Sequence, residues 1–255
     1  MKVNDTILKI NNIEKNYAAG EDSEKVHVLN SLSFSVKKGE IVSIVGPSGC
    51  GKSTLLNIVA GFEKTDGGEV YYNNTRVFGP NSEIAVVFQA PELFLWLTVS
   101  ENIAFGLNIK KEDKQVIKDK VSDFIKLVNL EGFEKFYPNQ LSIGMQQRVA
   151  LARALILSPN MLIMDEPFSA LDYQTRIMMQ KLLLKLWDKF KMTILFVTHD
   201  VEEAIFLADK TIVLSKRPAK IIDEIIVPFE RPRQISIIAD NEFLKLKSRV
   251  LGYLM

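Results

Sequence analysis

A glycine-rich segment at residues 46 to 54 carries the residues best suited to bind phosphate. It reads Gly46, Pro47, Ser48, Gly49, Cys50, Gly51, Lys52, Ser53 and Thr54. This order matches the pattern GxxxxGK[ST], between an apolar run at 41–45 and a helix expected to begin near Ser53. Glycines let successive N–H groups face a phosphate, and a helix N-terminus favours negative charge. We predict a nucleoside triphosphate site, with Lys52 on the β- and γ-phosphates and Ser53 on Mg²⁺.

Two adjacent acids, Asp165 and Glu166, follow the apolar run 161–164. Phosphoryl transfer needs a carboxylate for Mg²⁺ and a group that orients the attacking water, both at the end of a rigid strand. We expect Asp165 to hold the metal directly or through water and Glu166 to act as general base. Because such acids also cap helices, this interpretation depends on the phosphate loop being present.

His199 follows a second apolar run, 193–197, and precedes Asp200, which begins a sequence resembling a capping box. A lone histidine in this context usually caps a helix or packs against it. Its place beyond a strand end, on the edge where α/β sheets bind ligands, favours contact with the γ-phosphate. We predict a catalytic role and keep capping or packing as the alternative.

The elements that must position these residues alternate between strands and helices. Residues 6–17 and 31–38 alternate with period two, whereas residues 99 to about 157 show helical periodicity. A long amphipathic helix is predicted between the strands at 161–164 and 193–197, with Met179, Leu183 and Phe190 on one face. Strands and helices in this order predict an α/β fold with parallel crossovers.

Composition excludes several classes of protein. The 255 residues include 32 Lys plus Arg and 31 Asp plus Glu, which argues against a nucleic-acid partner. No apolar run approaches the ~20 residues that cross a bilayer as a helix, and the N-terminus lacks a secretory signal. The single cysteine, Cys50, favours a reducing compartment. We expect a cytosolic chain that reaches a membrane only through a partner.

The segment 141–155, Leu-Ser-Ile-Gly-Met-Gln-Gln-Arg-Val-Ala-Leu-Ala-Arg-Ala-Leu, narrows this interpretation. It resembles the signature segment of ABC ATPases, and 167–172, Pro-Phe-Ser-Ala-Leu-Asp, follows the acidic pair as in that family. The resemblance covers nearly the whole chain. It implies an α/β P-loop NTPase core of ABC ATPase type, with an N-terminal antiparallel β-subdomain and a helical insert. The implied boundaries are 1–98 and 157–228 for the core, 99–156 for the helical subdomain and 229–255 for a tail.

The resemblance also implies a head-to-tail homodimer that sandwiches ATP and Mg²⁺. Tyr17 would stack on adenine, although a core or edge role is the simpler interpretation of that tyrosine. Gln89 would sense Mg²⁺ and the γ-phosphate. The opposing subunit would contribute Ser142, Gly144, Met145 and Asp172. We expect a helix at 145–157 whose N-terminal dipole faces the γ-phosphate.

Ile143 departs from the family pattern, because glycine usually stands at this position of the signature. A β-branched residue does not readily adopt positive φ, and its side chain would crowd the approaching phosphate. We therefore expect weaker closure of the dimer and slower turnover, which Ile143→Gly should reverse.

Two more segments, 88–102 and 228–233, are similar to the importers of nitrate, taurine and aliphatic sulfonates, with Leu95 in place of a usual proline. The similarity implies import of a small solute through a separate membrane permease, supplied by an extracytoplasmic solute-binding protein. The ATPase would lie peripherally on the cytoplasmic face of the membrane. Residues 93–97 would form part of the groove for the permease or belong to the core. The alternative function is the ATPase of an exporter, lipoprotein-release or cell-division complex.

Overall fold

The chain, described here in a computed structural model over residues 5–18 and 25–254, forms ten strands and seven α-helices within those ranges. These elements fall into two compact units, one formed by residues up to Asn81 and from Met192 onward, the other by Ser82–Lys191. In chain order they are β1 (Thr6–Ala18), β2 (Lys25–Lys37), β3 (Ile41–Val45), α1 (Lys52–Val59), β4 (Gly67–Tyr72), β5 (Thr75–Arg76), β6 (Ile84–Val87), α2 (Val99–Ile109), α3 (Lys114–Leu127), α4 (Ile143–Leu155), β7 (Met161–Asp165), α5 (Tyr173–Phe190), β8 (Thr193–Thr198), α6 (Val201–Leu207), β9 (Lys210–Leu214), β10 (Ile221–Ile226) and α7 (Asn241–Leu254).

The first unit begins with an antiparallel sheet in the strand order β2-β1-β4-β5. Its strands alternate between buried and exposed side chains, as Leu8, Lys9 and Ile10 show in β1. Ile10 pairs with Phe34 of β2 and with Val70 of β4, so that apolar side chains gather on one face of the sheet. This sheet confirms the N-terminal antiparallel β-subdomain.

The same unit contains β3 between two parallel neighbours, β8 and β9, with β10 antiparallel at the outer side of β9. All five residues of β3 are buried, which is typical of a parallel strand covered on both faces. Val45, the last residue of β3, pairs with Thr198 of β8 and with Val213 of β9. The carboxyl ends of these strands therefore lie at one edge of the sheet.

The second unit contains the parallel pair β6 and β7 together with α2, α3, α4 and α5. Thr98 caps α2 in a capping box with Glu101, and Asp113 caps α3 by accepting from the N–H groups of Gln115 and Val116. These helices confirm the helical insert. The boundaries at 98/99 and 156/157 stay a prediction, since this unit includes β6, β7 and α5 as well.

No helix within the described residues is long and apolar enough to cross a membrane.

The C-terminal segment of the first unit packs against α6. Arg233 donates through Nη1 to the carbonyls of Ile205, Phe206 and Ala208, at 3.2, 3.0 and 2.7 Å. Its burial lowers the pKa of the guanidinium to about 10, which leaves it charged at neutral pH. The carbonyls at the end of α6 are thus satisfied by the segment that leads to α7.

Candidate functional site

The phosphate loop follows β3 directly and has a backbone that only glycine readily adopts. Gly49 and Gly51 have φ values of +73° and +116°. A Cβ added to Gly51 would stand 2.7 Å from side-chain atoms of Val28 and of Leu29 in β2. The loop is therefore packed against the β-subdomain of the same unit, and Gly51 serves as the residue from which α1 begins.

Lys52 is the first residue of α1, as the pattern predicts, and its side chain folds back across the loop. Its Nζ donates to the carbonyl oxygens of Gly46 and Pro47 at 2.8 and 3.1 Å. An ammonium group has three donors, so these two bonds leave capacity for a phosphate oxygen. Ser53 is exposed at the second position of the helix. Its contact with Mg²⁺ stays a prediction.

Cys50 is buried within the loop. Burial raises the pKa of its thiol above the ordinary value, so the side chain stays protonated and uncharged at neutral pH. Its backbone N–H donates to the carbonyl of Pro47 at 3.3 Å. Cys50 therefore supplies packing and a backbone donor to the loop. Ser48, by contrast, is exposed.

Tyr17 lies beside the end of the phosphate loop. Its hydroxyl donates to Glu63 Oε1 at 2.6 Å and lies 3.5 Å from Thr54 Oγ1. Partial burial and the bond to Glu63 raise the pKa of the phenol. Because 39% of the residue is exposed, the core interpretation is wrong. Lys15 Nζ lies 5.2 Å from the ring centroid, so that a purine would have to stack on the opposite face.

His199 directly follows β8, and Gly46 directly follows β3. Because the last residues of these strands, Thr198 and Val45, are paired, His199 and Gly46 lie at the same edge of the sheet. His199 is exposed at this edge. Capping of α6 falls to Asp200, whose carboxylate accepts from the N–H groups of Glu202 and Glu203 at 2.9 and 3.2 Å. Asp200 thus supplies the N-cap of α6. The packing alternative for His199 and its contact with the γ-phosphate both stay predictions.

In the second unit, the structure brings Gln89 and Glu166 together through Ser169. Gln89 Nε2 donates to Ser169 Oγ at 3.2 Å, and that hydroxyl donates to the carbonyl of Glu166 at 3.0 Å. Gln147 is buried and donates to the carbonyl of Gln89 at 2.9 Å. Gln147 lies in the signature segment 141–155 and Ser169 in the segment 167–172, but their spacing in the sequence did not predict that they position Gln89.

Glu166 has a left-handed backbone, with φ of +42°, directly after Asp165 ends β7. Such a conformation costs a non-glycine residue about 1 to 3 kcal/mol, and residues that adopt it occur at active sites as well as in turns. The Glu166 carbonyl accepts both the N–H and the hydroxyl of Ser169, which holds this turn in place. The strain supports a catalytic role for Glu166, which stays a prediction.

The signature segment begins a helix two residues earlier than we predicted, since α4 spans Ile143–Leu155. Ser142 is its N-cap and accepts from the N–H of Met145 at 3.3 Å. Ile143 is the first helical residue and is not among the residues with positive φ. The expectation of backbone strain at Ile143 is thus wrong, because a helix N-terminus needs only ordinary helical φ. Its side chain is 42% exposed, so crowding of a phosphate remains untested.

Two other residues of the predicted dimer contact have roles within one chain. A Cβ added to Gly144 would stand 2.6 Å from Thr175 Cγ2, so glycine allows α4 to approach α5. Asp172 is the N-cap of α5 and accepts from the N–H of Thr175 at 3.0 Å. The hydrogen bonds from Thr175 lower the pKa of the Asp172 carboxyl. A contact of either residue with a second copy stays a prediction.

Residues 93–97 are not core. Leu95 and Trp96 are 68% and 74% exposed, whereas the ring of Phe94 lies 4.2 Å from that of Phe105. The guanidinium of Arg153 lies 5.2 Å from the Phe94 centroid and donates to the carbonyl of Glu92. Phe94 thus anchors the segment, and Leu95 and Trp96 form an exposed apolar surface.

Comparison with known proteins gives consistent results. Residues 29–169 match the family model described as "ABC transporter". The aliphatic sulfonates import ATP-binding protein SsuB of Bacillus cereus is 43% identical over 96% of this chain and 94% of the relative. The taurine import ATP-binding protein TauB of Pelagibacter ubique is 48% identical over 81% and 78%. The solved ATP-binding cassette MJ0796, a dimer in a post-hydrolysis state with ADP and Pi, has a TM-score of 0.77 and 35% identity over 88% of this chain and 100% of that one.

Replacement of Ile143 by alanine and by glycine distinguishes an effect of side-chain size on turnover from an effect of backbone conformation. Because the residue is helical, Ile143→Ala and Ile143→Gly should raise the ATPase rate equally, by about two- to fivefold if the side chain hinders dimer closure by about 0.4 to 1 kcal/mol. Steady-state phosphate release measures the rate, with the exposed Val116→Ala on α3 as control. An unchanged or lower rate in both variants would show that Ile143 does not hinder turnover.

Proposed function

This chain belongs to the ABC transporter family, and from that premise we propose that it energises import of a small solute resembling a sulfonate or taurine. The chain is an ATPase of this family. The solute would cross through a separate membrane permease that receives it from an extracytoplasmic solute-binding protein. Import is favoured over the export, lipoprotein-release and cell-division alternatives because the relatives SsuB and TauB are named as import ATP-binding proteins. The single observation that carries the proposal is the 43% identity to an aliphatic sulfonates import ATP-binding protein along nearly the full length of both chains.

Mg²⁺ is the metal that the residues fit best. Ser53 offers a hydroxyl, Asp165 a carboxylate and Gln89 an amide oxygen, all of them the hard oxygen donors that Mg²⁺ prefers. Among residues 5–18 and 25–254, no group of three or more His, Cys, Asp or Glu could hold a metal. The three oxygen donors of Ser53, Asp165 and Gln89 suit Mg²⁺, which binds few protein ligands and completes its shell with phosphates and waters. When bound, the ion would neutralise charge on the transferred phosphoryl group.

We assign the hydrolytic step to Glu166, Gln89 and His199. Glu166 would accept a proton from the attacking water, and Gln89 would orient that water, supported by its bond to Ser169. His199 would donate a hydrogen bond to the γ-phosphate as charge develops there. Lys52 and the loop N–H groups would stabilise the phosphates throughout.

The proposed active form is a head-to-tail homodimer. Two solved structures of the relative MJ0796 are described as dimeric, which supports a dimer. Ser142, Gly144 and Met145 lie at the N-terminus of α4, where the N–H groups of the first turn favour an anion. Each copy would close this terminus over the ATP of the other, and hydrolysis would release the pair.

The permease is the partner that we assign to the exposed surface formed by Leu95 and Trp96. Exposed aromatic residues of this size are enriched in the centre of protein interfaces. Docking there would hold the chain peripherally on the cytoplasmic face of the membrane. A nucleic-acid partner is not proposed, because positive and negative residues are nearly balanced.

Glu166→Gln tests the enzymatic assignment. Loss of the general base should lower the ATPase rate at least about 100-fold while ATP still binds, because proton transfer typically contributes factors of this size. The trapped ATP state should elute from size-exclusion chromatography as a dimer with Mg-ATP and as a monomer without it. Glu131→Gln, a change at an exposed acid of the same unit, is the control. A normal rate would exclude Glu166 as the base, and a monomer that binds ATP would contradict the sandwich.

Transport itself is tested by reconstituting the chain with its permease and solute-binding protein in liposomes. We expect ATP supplied on the side of this chain to drive labelled taurine or an alkanesulfonate toward that side. The Glu166→Gln protein should give no accumulation above background. Movement of solute away from the side that carries ATP would contradict import, and ATP hydrolysis without movement of either solute would contradict the proposed substrate class.

A further inference from the structure

Arg217 contacts the phosphate loop from the turn that joins β9 to β10. Its Nε and Nη2 donate to the carbonyl oxygen of Gly49 at 3.1 and 2.7 Å. The two residues are 168 positions apart in the sequence, and Arg217 lies outside every motif by which the loop was recognised. Both belong to the first compact unit.

The turn that carries Arg217 is fixed at both ends. The N–H of Ser215 donates to the carbonyl of Lys220, and Ser215 Oγ accepts from the N–H of Lys220, each at 2.9 Å. Ala219 is buried and donates to the carbonyl of Val28 at 2.8 Å, the strand residue that packs against Gly51. The guanidinium therefore reaches the loop from the same rigid base that holds Gly51.

This contact fixes the orientation of one peptide plane. In a trans peptide, the C=O and the following N–H point in opposite directions. With the Gly49 carbonyl bound to Arg217 on one side, the N–H of Cys50 points to the other, where it donates to the carbonyl of Pro47. Lys52 Nζ contacts that same carbonyl at 3.1 Å, which identifies this side as the inner side of the loop.

We propose that Arg217 is a positioning residue for nucleotide binding, which holds the Gly49–Cys50 peptide plane so that the loop keeps its shape around the phosphates. Gly49 alone would not hold that plane, because glycine rotates more freely than any other residue. The guanidinium fork supplies two donors in a fixed geometry, whereas a lysine would supply the same charge without the fork. The proposal rests on ATP binding by this loop.

Three variants separate orientation from charge: Arg217→Gln, Arg217→Lys and, as matched control, Lys216→Gln. Lys216 is exposed in the same turn, so its replacement removes one charge one residue away. Isothermal titration gives Kd for Mg-ATP and Mg-ADP, and steady-state kinetics give KM and kcat. Arg217→Gln should raise both Kd values and KM about tenfold, since one charge-assisted contact has about that worth, with kcat within about twofold. Arg217→Lys should recover less than half of this loss, and Lys216→Gln should show none of it.

Five results would overturn the proposal. Normal Kd values in Arg217→Gln would show that the contact does not affect binding, even if its melting temperature fell. Full recovery in Arg217→Lys, or an equal loss in Lys216→Gln, would assign the effect to charge alone. A fall in kcat with unchanged KM would place the effect after binding. If the unaltered protein failed to bind ATP, both this proposal and the proposed function would fail, whereas the other outcomes leave the proposed function intact.

Discussion

The backbone of Gly51 lies so close to Val28 and Leu29 of β2 that a side chain at this position would overlap them. The rest of the phosphate loop depends on this contact. It fixes the left-handed turn from which α1 begins, and it places Lys52 where its ammonium reaches the carbonyls of Gly46 and Pro47. Packing against β2 and hydrogen bonds within the loop therefore hold this backbone in its shape. Oriented donors need no reorganisation on binding, which makes them effective electrostatic stabilisers.

The second unit uses strain in a comparable way. Glu166 keeps a left-handed backbone that an isolated chain would avoid, immediately after the buried strand β7. Two hydrogen bonds from Ser169 to the Glu166 carbonyl oppose relaxation of this turn, and the same serine accepts from Gln89. The Ser169 hydroxyl thus links Gln89 to Glu166, the residue that we assign as general base.

Local patterns in the sequence were sufficient for the features that depend on neighbouring residues. The strand at 41–45, the start of α1 and the acids at the end of β7 follow from apolar runs and glycine spacing. The predicted start of α4 was wrong by two residues, because Ser142 is the N-cap itself and Ile143 already lies in the first helical turn. The strain expected at Ile143 failed for the same reason. Contacts between distant residues, such as Arg217 with Gly49 and Gln147 with Gln89, leave no periodic signal in one sequence.

The preformed loop is tested most directly by crystal structures of this protein without nucleotide and with Mg-ATP. We expect the main chain of residues 46–54 to agree within about 1 Å between the two, with positive φ at Gly49 and Gly51 in both and with the phosphates bound by the loop N–H groups. A nucleotide-free loop with a different backbone, one that reaches this shape only when ATP is bound, would contradict the account.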